Sequence, residues 1–251
     1  MGDAVGSSSY AGTILSDYLG GAANPNETGG HIGPVSIGRD VLGGSDTAAG
    51  TIISESGRLG NVTIGGSLLA GSANRSAHIH SSLEMGAILI GGSVVGGLGD
   101  QSGQIETMSV MGNVQIGGSL IGGAGEDSGQ VTARFTIGTV TVGGDWIASS
   151  LVAGAQAGAD GQFGTQDDVK FSGPMTKDVA GVFSRINSVT IGGQVIGTEL
   201  GGDHFGIVAE SVGSLSVGAN LIPLLAGKHN DNILLAPLID GFFGDLRLNE
   251  I

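Results

Sequence analysis

The chain has 251 residues, of which 51 are Gly and none is Cys, and it carries a net charge of −14. Nine basic residues against 23 acidic ones leave no counter-charge for a phosphate backbone, which argues against nucleic acid and for a divalent cation as partner. The lack of Cys excludes disulfides and thiolate metal sites, the 40% hydrophobic content excludes a disordered low-complexity chain, and five Pro without a Gly triplet exclude collagen.

In chain order, residues 1–30 form an N-terminal segment and a partial first coil. MGDAVGSSSY lacks the basic and apolar regions of a secretory signal and reads as a mature chain or a fragment with a starting Met. No apolar run approaches the roughly 20 residues of a membrane span, so none is expected. Thr13-Ile14 stands where an apolar-x-apolar word would fall, and Asp17-Tyr18-Leu19-Gly20-Gly21 matches Asp40-Val41-Leu42-Gly43-Gly44.

Residues 31–222 carry a repeat. Its first element is an apolar-x-apolar-Gly-Gly word: VTIGG at 62–66, ILIGG at 88–92, VQIGG at 114–118, VTVGG at 140–144 and VTIGG at 189–193, with weaker copies at 35–39 and 215–219. Counted on Ile37, Ile64, Ile90, Ile116, Val142, Ile191 and Val217, the spacings are 27, 26, 26, 26, 49 and 26 residues. The 49 is one period plus an insertion of 23.

The second element is a polar residue and an apolar pair, as in Ser67-Leu68-Leu69, Asp145-Trp146-Ile147 and Asn220-Leu221-Ile222. The third opens with Ile79, Ile105, Val131 or Ile207 and continues through pairs such as Met108 and Val110, or Phe135 and Ile137. Three short alternating strands per period, separated by Gly turns, stack like on like. The expected fold is therefore an all-β parallel β-solenoid of about eight coils with a period of 26 residues, with Gly at corners that need positive φ. Leu68, Val94, Leu120, Trp146, Val195 and Leu221 should form one buried column, and Ile64, Ile90, Ile116, Val142, Ile191 and Val217 another.

Residues 155–178 hold the insertion. Residues 223–251 are an apolar C-terminal segment, rich in Leu, Ile and Phe, in which Leu246-Arg247-Leu248 reads as a final apolar-x-apolar word. The chain thus begins and ends near one coil phase. Open strand edges and an apolar tail point to a head-to-tail homopolymer, the alternative being a tail folded over its own last coil.

The IGGSL and GG words resemble the β-solenoid repeat regions of large secreted bacterial surface proteins, the adhesin-like and filament-forming class. The resemblance implies an extracellular or cell-surface location. Because solenoids host lyases as well as fibre subunits, the residues argue against an enzyme: only three lysines (Lys170, Lys177, Lys228) and six arginines exist and none recurs beside the acidic residues, as polysaccharide-active β-helices would require. A surface polysaccharide is the alternative partner, for an adhesin module. An ice-binding array is broken at Leu89 and Gln115 in the middle of the apolar-x-apolar words.

Candidate metal ligands follow from the register. Asn74, Asp100 and Glu126 fall 26 residues apart, with Ser76, Ser102 and Ser128 two places on and Asp46, Asp127 and Asp203 in the same turn at shifted register. Like charges at a strand spacing of about 4.8 Å repel by roughly 0.9 kcal/mol in water, which a bridging Ca2+ would relieve. Solvated turn residues are the plain alternative, since Asp, Asn and Ser favour turns. The insertion offers Asp160, Asp167 and Asp168 around Gly, without the ligand pattern of an EF-hand. His78 and His80 share one side of a strand and could begin a metal site, but the sequence places no third ligand and reads them as exposed ladder residues.

Overall fold

A computed structural model describes residues 4–5, 12–16, 30–171, 183–198, 203–235 and 245–251. The described residues are all β, and among them no helix is long and apolar enough to cross a membrane. Three parallel sheets stack regularly around one core, as in a β-solenoid. We number them by the order in which the repeat words enter them.

Sheet I collects the apolar-x-apolar words: Val35–Ile37, Val62–Ile64, Ile88–Ile90, Val114–Ile116, Thr136–Val142, Arg185–Ile191 and Leu215–Val217. The register pairs Val62 with Ile88, Ile88 with Val114 and Val114 with Val140, as the sequence spacing requires. Sheet II collects the apolar pairs from Val41–Leu42 through Leu68–Leu69, Val94–Val95, Leu120–Ile121 and Trp146–Ile147 to Val195–Ile196. Sheet III holds the third segments Ile52–Ser54, Ile79–Ser81, Ile105–Thr107, Val131–Ala133, Leu151–Ala153 and Phe205–Ala209.

Alternation along each short strand sends one row of β-branched and Leu side chains inward, where stacking buries it against the same row of the next coil. Leu68, Val94, Leu120, Trp146 and Val195 are buried as expected, and so are Ile64, Ile90, Ile116, Val142 and Ile191. Trp146 satisfies its indole N–H by donating to the Ser149 carbonyl at 2.8 Å.

The column ends differ from expectation. Leu221 is 73% exposed because Asn220–Ile222 turns back antiparallel on Leu215–Val217 instead of entering sheet II, and Val217 is half-buried. Ala4–Val5 pairs with Val41–Leu42, which Asp17-Tyr18-Leu19-Gly20-Gly21 matches in sequence; residues 17–21 lie outside the described residues. Ile14–Ser16 pairs with Ile52–Ser54, and Leu246–Glu250 with Phe205–Ala209, so both expected apolar-x-apolar words belong to sheet III. A further strand, Asn232–Leu234, closes sheet III antiparallel to Leu246–Glu250. Met108 and Val110 are exposed, and the buried column between sheets III and I is Leu59, Met85, Met111 and Ile137.

The glycines of the Gly-Gly words act differently from the expected positive-φ corners. A Cβ on Gly91 would overlap the carbonyl oxygen of Gly65, and one on Gly117 that of Gly91, so it is the close approach of successive coils that demands Gly. Left-handed backbone sits in the later turn, at Arg75, Gln101 and Asp127 (φ 55–56°) and at Gly103 and Gly129 (φ 66°).

The insertion leaves the solenoid after Leu151–Ala153. It forms a short antiparallel pair, Ala155–Gln156 with Val169–Lys170, whose loop lies on the outer face of sheet III. Gly164 there meets the backbone of Phe205 and Gly206, and Asn249 donates to the Thr165 carbonyl at 2.8 Å.

Candidate functional site

The outer face of sheet III holds a grid of six polar side chains on three successive strands. His78 and His80 flank inward-facing Ile79, Gln104 and Glu106 flank Ile105, and Gln130 and Thr132 flank Val131. The register stacks His80, Glu106 and Thr132 in one column. The same alternation stacks His78, Gln104 and Gln130 in the other.

The two histidines are not exposed: His78 is wholly buried and His80 is 7% exposed. His80 Nδ1 lies 3.2 Å and His78 Nε2 3.6 Å from the same carboxylate oxygen, Glu106 Oε2. The donor atoms of the three residues lie within 4.8 Å of one another, and among the described residues they are the one such group of three. The missing third ligand was present in the sequence as register arithmetic, since Glu106 follows His80 by one 26-residue period.

Burial lowers the His78 pKa, opposed by its contact with Glu106, so its imidazole favours the neutral form. Burial would push the Glu106 carboxyl up, but the two imidazoles beside it outweigh that and hold the group well below the usual carboxylate range.

Beside Glu106 opens a cleft of about 210 Å³ between sheet III and the insertion, lined by Gln104, Gln130, Thr132, Phe163 and Phe171 among others. Arg134 stacks its guanidinium 4.2 Å from the Phe171 ring centre. Gln130 Nε2 donates to Asp127 Oδ1 at 3.0 Å. Gln104 Oε1, Gln130 Oε1 and Thr132 Oγ1 are buried without hydrogen-bond partners, which is costly unless a ligand or water meets them. Burial first, and then the charge of Glu126, push the Asp127 carboxyl up.

The sequence-predicted calcium ligands are placed as follows. Asn74, Asp100 and Glu126 do stack, all exposed, and two of the side chains bond to the next coil's backbone: Asn74 Oδ1 accepts from Asp100 N–H and Asp100 Oδ1 from Glu126 N–H, each at 3.1 Å. The same ladder recurs at another turn, where Ser67, Ser93 and Ser119 accept from the N–H of Ser93, Ser119 and Asp145. Ser76, Ser102 and Ser128 are buried and accept from the N–H of Gly71, Gly97 and Gly123. Asp46 is half-buried in its turn, and Asp203 Oδ2 accepts from the Thr198 hydroxyl at 2.6 Å.

In the insertion, Asp167 Oδ2 accepts from Ala159 N–H at 2.6 Å and Asp160 Oδ1 from Gln162 N–H at 2.8 Å. Asp168 turns the other way, into the interior, where its Oδ2 accepts from Gly164 N–H and Asn249 Nδ2 while Oδ1 has no partner. Among the described residues, no three carboxylates of the turn set or of the insertion set bring ligand atoms within 4.8 Å of one another.

One residue the sequence did not single out is Glu210. Fully buried, it accepts from Ser184 N–H at 2.6 Å and pairs with Lys170 of the insertion, with His229 Nε2 3.8 Å away. This pair fastens the insertion to the solenoid.

No family model matches the chain, and no curated protein and no solved structure is significantly similar to it.

Proposed function

We propose that the chain is a structural subunit of an extracellular filament or surface scaffold, a β-solenoid of about eight 26-residue coils that assembles head to tail. The observation that carries this reading is the continuity of the three ladders. Sheets of seven, nine and nine strands run through the molecule, and sheets I and III end in strand edges, at Val35–Ile37 and Asn220–Ile222 and at Ile14–Ser16 and Asn232–Leu234. Such edges template another chain unless covered, and a contact between unlike ends does not close on itself. Calcium at the acidic turns would stiffen the rod by bridging carboxylate oxygens that each retain a free lone pair.

Light scattering and negative-stain imaging of the intact chain, in calcium and in chelator, test the reading. Rods whose length grows with concentration are expected, with a lower melting temperature in chelator. A monodisperse monomer at high concentration in both conditions overturns the assembly, and identical melting curves overturn the calcium.

The cleft favours a second reading, a carbohydrate-binding module. Unpartnered amide and hydroxyl groups beside Phe163 and Phe171 suit a hydroxyl-rich ligand, whose apolar ring faces stack on aromatics while its hydroxyls bond to amides. Binding of an oligosaccharide that is lost in Gln130→Ala would separate this module from a bare scaffold.

A further inference from the structure

We propose that His78, His80 and Glu106 form a binding site for one divalent transition-metal ion of the zinc class, with its open coordination position facing the cleft. The site is independent of assembly, since all three ligands come from two adjacent coils of one chain.

The protons around His80 are fixed by its neighbours. Its Nε2 lies 3.4 Å from the Ser82 hydroxyl, and that hydroxyl donates its one proton to the Glu55 carbonyl at 2.6 Å. Ser82 Oγ can therefore only accept, which places a proton on His80 Nε2 and leaves the neutral ring with a lone pair on Nδ1. That lone pair faces Glu106 Oε2 at 3.2 Å. Two acceptors at this distance repel unless a cation stands between them.

A proton on His80 Nδ1 would satisfy that contact but leaves the third donor unused. His78 Nε2 is wholly buried, has no hydrogen-bond partner and points at the same carboxylate oxygen from 3.6 Å. A metal ion satisfies all three donors at once. Tetrahedral ligands at 2.0–2.2 Å stand about 3.3–3.5 Å apart, and the two nitrogen-to-oxygen separations of 3.2 and 3.6 Å already bracket that value. Two imidazoles and one carboxylate suit a borderline ion such as Zn2+, whereas Ca2+ and Mg2+ take oxygen sets. The Ser82 hydroxyl, with Glu55 behind it, is the outer partner that orients a metal-bound His80. Glu106 also lines the cleft, so a fourth ligand or water would enter from there, near the unpartnered amide oxygen of Gln104.

Arg75 opposes loading. His78 Nδ1 accepts a hydrogen bond from Arg75 Nε at 3.3 Å, which keeps the ring proton on Nε2. Metal binding at Nε2 moves that proton to Nδ1, so Arg75 must swing away, towards Glu55, to which its Nη2 already lies 3.9 Å. Replacing Arg75 by a residue that can accept from Nδ1–H should strengthen metal binding.

Zinc chloride titrated calorimetrically into the chelator-treated full chain should bind one equivalent that calcium does not displace. Glu106→Gln and His80→Ala should each weaken binding by more than the about 10–100-fold that follows loss of an outer partner, and Arg75→Gln should tighten it. X-ray absorption at the zinc edge of the unmutated protein, which no folding defect can confuse, should show two imidazole nitrogens and a carboxylate oxygen at about 2.0–2.2 Å. No binding up to millimolar zinc, undiminished binding in both weakening variants, or a shell without imidazole overturns the site.

Discussion

Asp168 shows how far a single side chain can depart from what its sequence neighbourhood suggests. As one of three Asp in a Gly-rich loop it reads as a solvated calcium ligand, yet it is 7% exposed and wedged between Gly164 and the amide of Asn249. Burial outweighs these two hydrogen bonds and raises its pKa from 3.8 to about 6. A folded-state pKa above the unfolded value means that the folded chain holds the proton more tightly. The stabilisation is therefore complete below about pH 4 and is lost as pH rises through about 6. At about 1.4 kcal/mol per pKa unit the effect reaches up to about 3 kcal/mol. Asp168→Asn removes the charge and keeps an acceptor for Gly164. It should raise the melting temperature at pH 8 and leave it nearly unchanged at pH 4.5, a difference that thermal unfolding at the two pH values reads directly. Equal shifts at both would show that the carboxylate is not strained by burial.

The strand and its turns form the scale at which the sequence was most legible. Every Gly-Gly word landed in sheet I, and the apolar pairs from Leu68–Leu69 to Val195–Ile196 landed in sheet II, because a residue repeated at fixed spacing has one stacked partner. The phase of the terminal strands was not legible. Ile14–Ser16 and Leu246–Leu248 have the same β-branched and Leu chemistry as sheet I words but sit in sheet III, and without a following Gly-Gly nothing local distinguishes the two. The histidine site was half legible. The sequence singles out His78 and His80 but reads them as exposed, because they share the face of the strand opposite core-facing Ile79, and the depth of that outer face depends on side chains from neighbouring coils. The turn glycines were located correctly for a different reason from the one expected. Gly91→Ala, which would force a Cβ onto the Gly65 carbonyl, should destabilise by about 1–3 kcal/mol, as overpacking does. Gly33→Ala, where a Cβ meets nothing within 4 Å and φ is not left-handed, should stay within about 0.5 kcal/mol. Equal losses in chemical denaturation would mean that flexibility, not coil contact, selects Gly.

For the whole molecule the question is what ends the stack. The described part of the C-terminal segment folds back on its own chain: Leu246 and Leu248 are fully buried, and Ile233 and Leu235 pack against the same core. Leu238, Ile239, Phe242 and Phe243 lie outside the described residues. The tail also ties down polar groups, for Glu250 accepts from Val212 N–H at 2.7 Å and from Asn230 N–H at 3.2 Å, while Asn249 holds Asp168 and the insertion. The described part of the tail, buried in its own coil, is not free to plug a neighbour, and the edges left for a head-to-tail contact among the described residues include Asn220–Ile222 and Asn232–Leu234. Both strands run antiparallel to the sheets they close, so a neighbouring chain pairing there would not continue the parallel ladder in the same sense. Removing residues 246–251 strips the outer partner from Phe205–Ala209 and leaves its N–H and C=O groups unpaired beside newly exposed core. The truncated chain should aggregate irregularly and melt lower, whereas Leu221→Lys, on the exposed closing strand, should leave the monomer's melting temperature within a degree or two and abolish ordered assembly. Sedimentation and imaging of the two variants side by side make the check. Rods formed unchanged by Leu221→Lys would remove this edge from the contact, and a soluble, well-folded truncation would show that the tail is no cap.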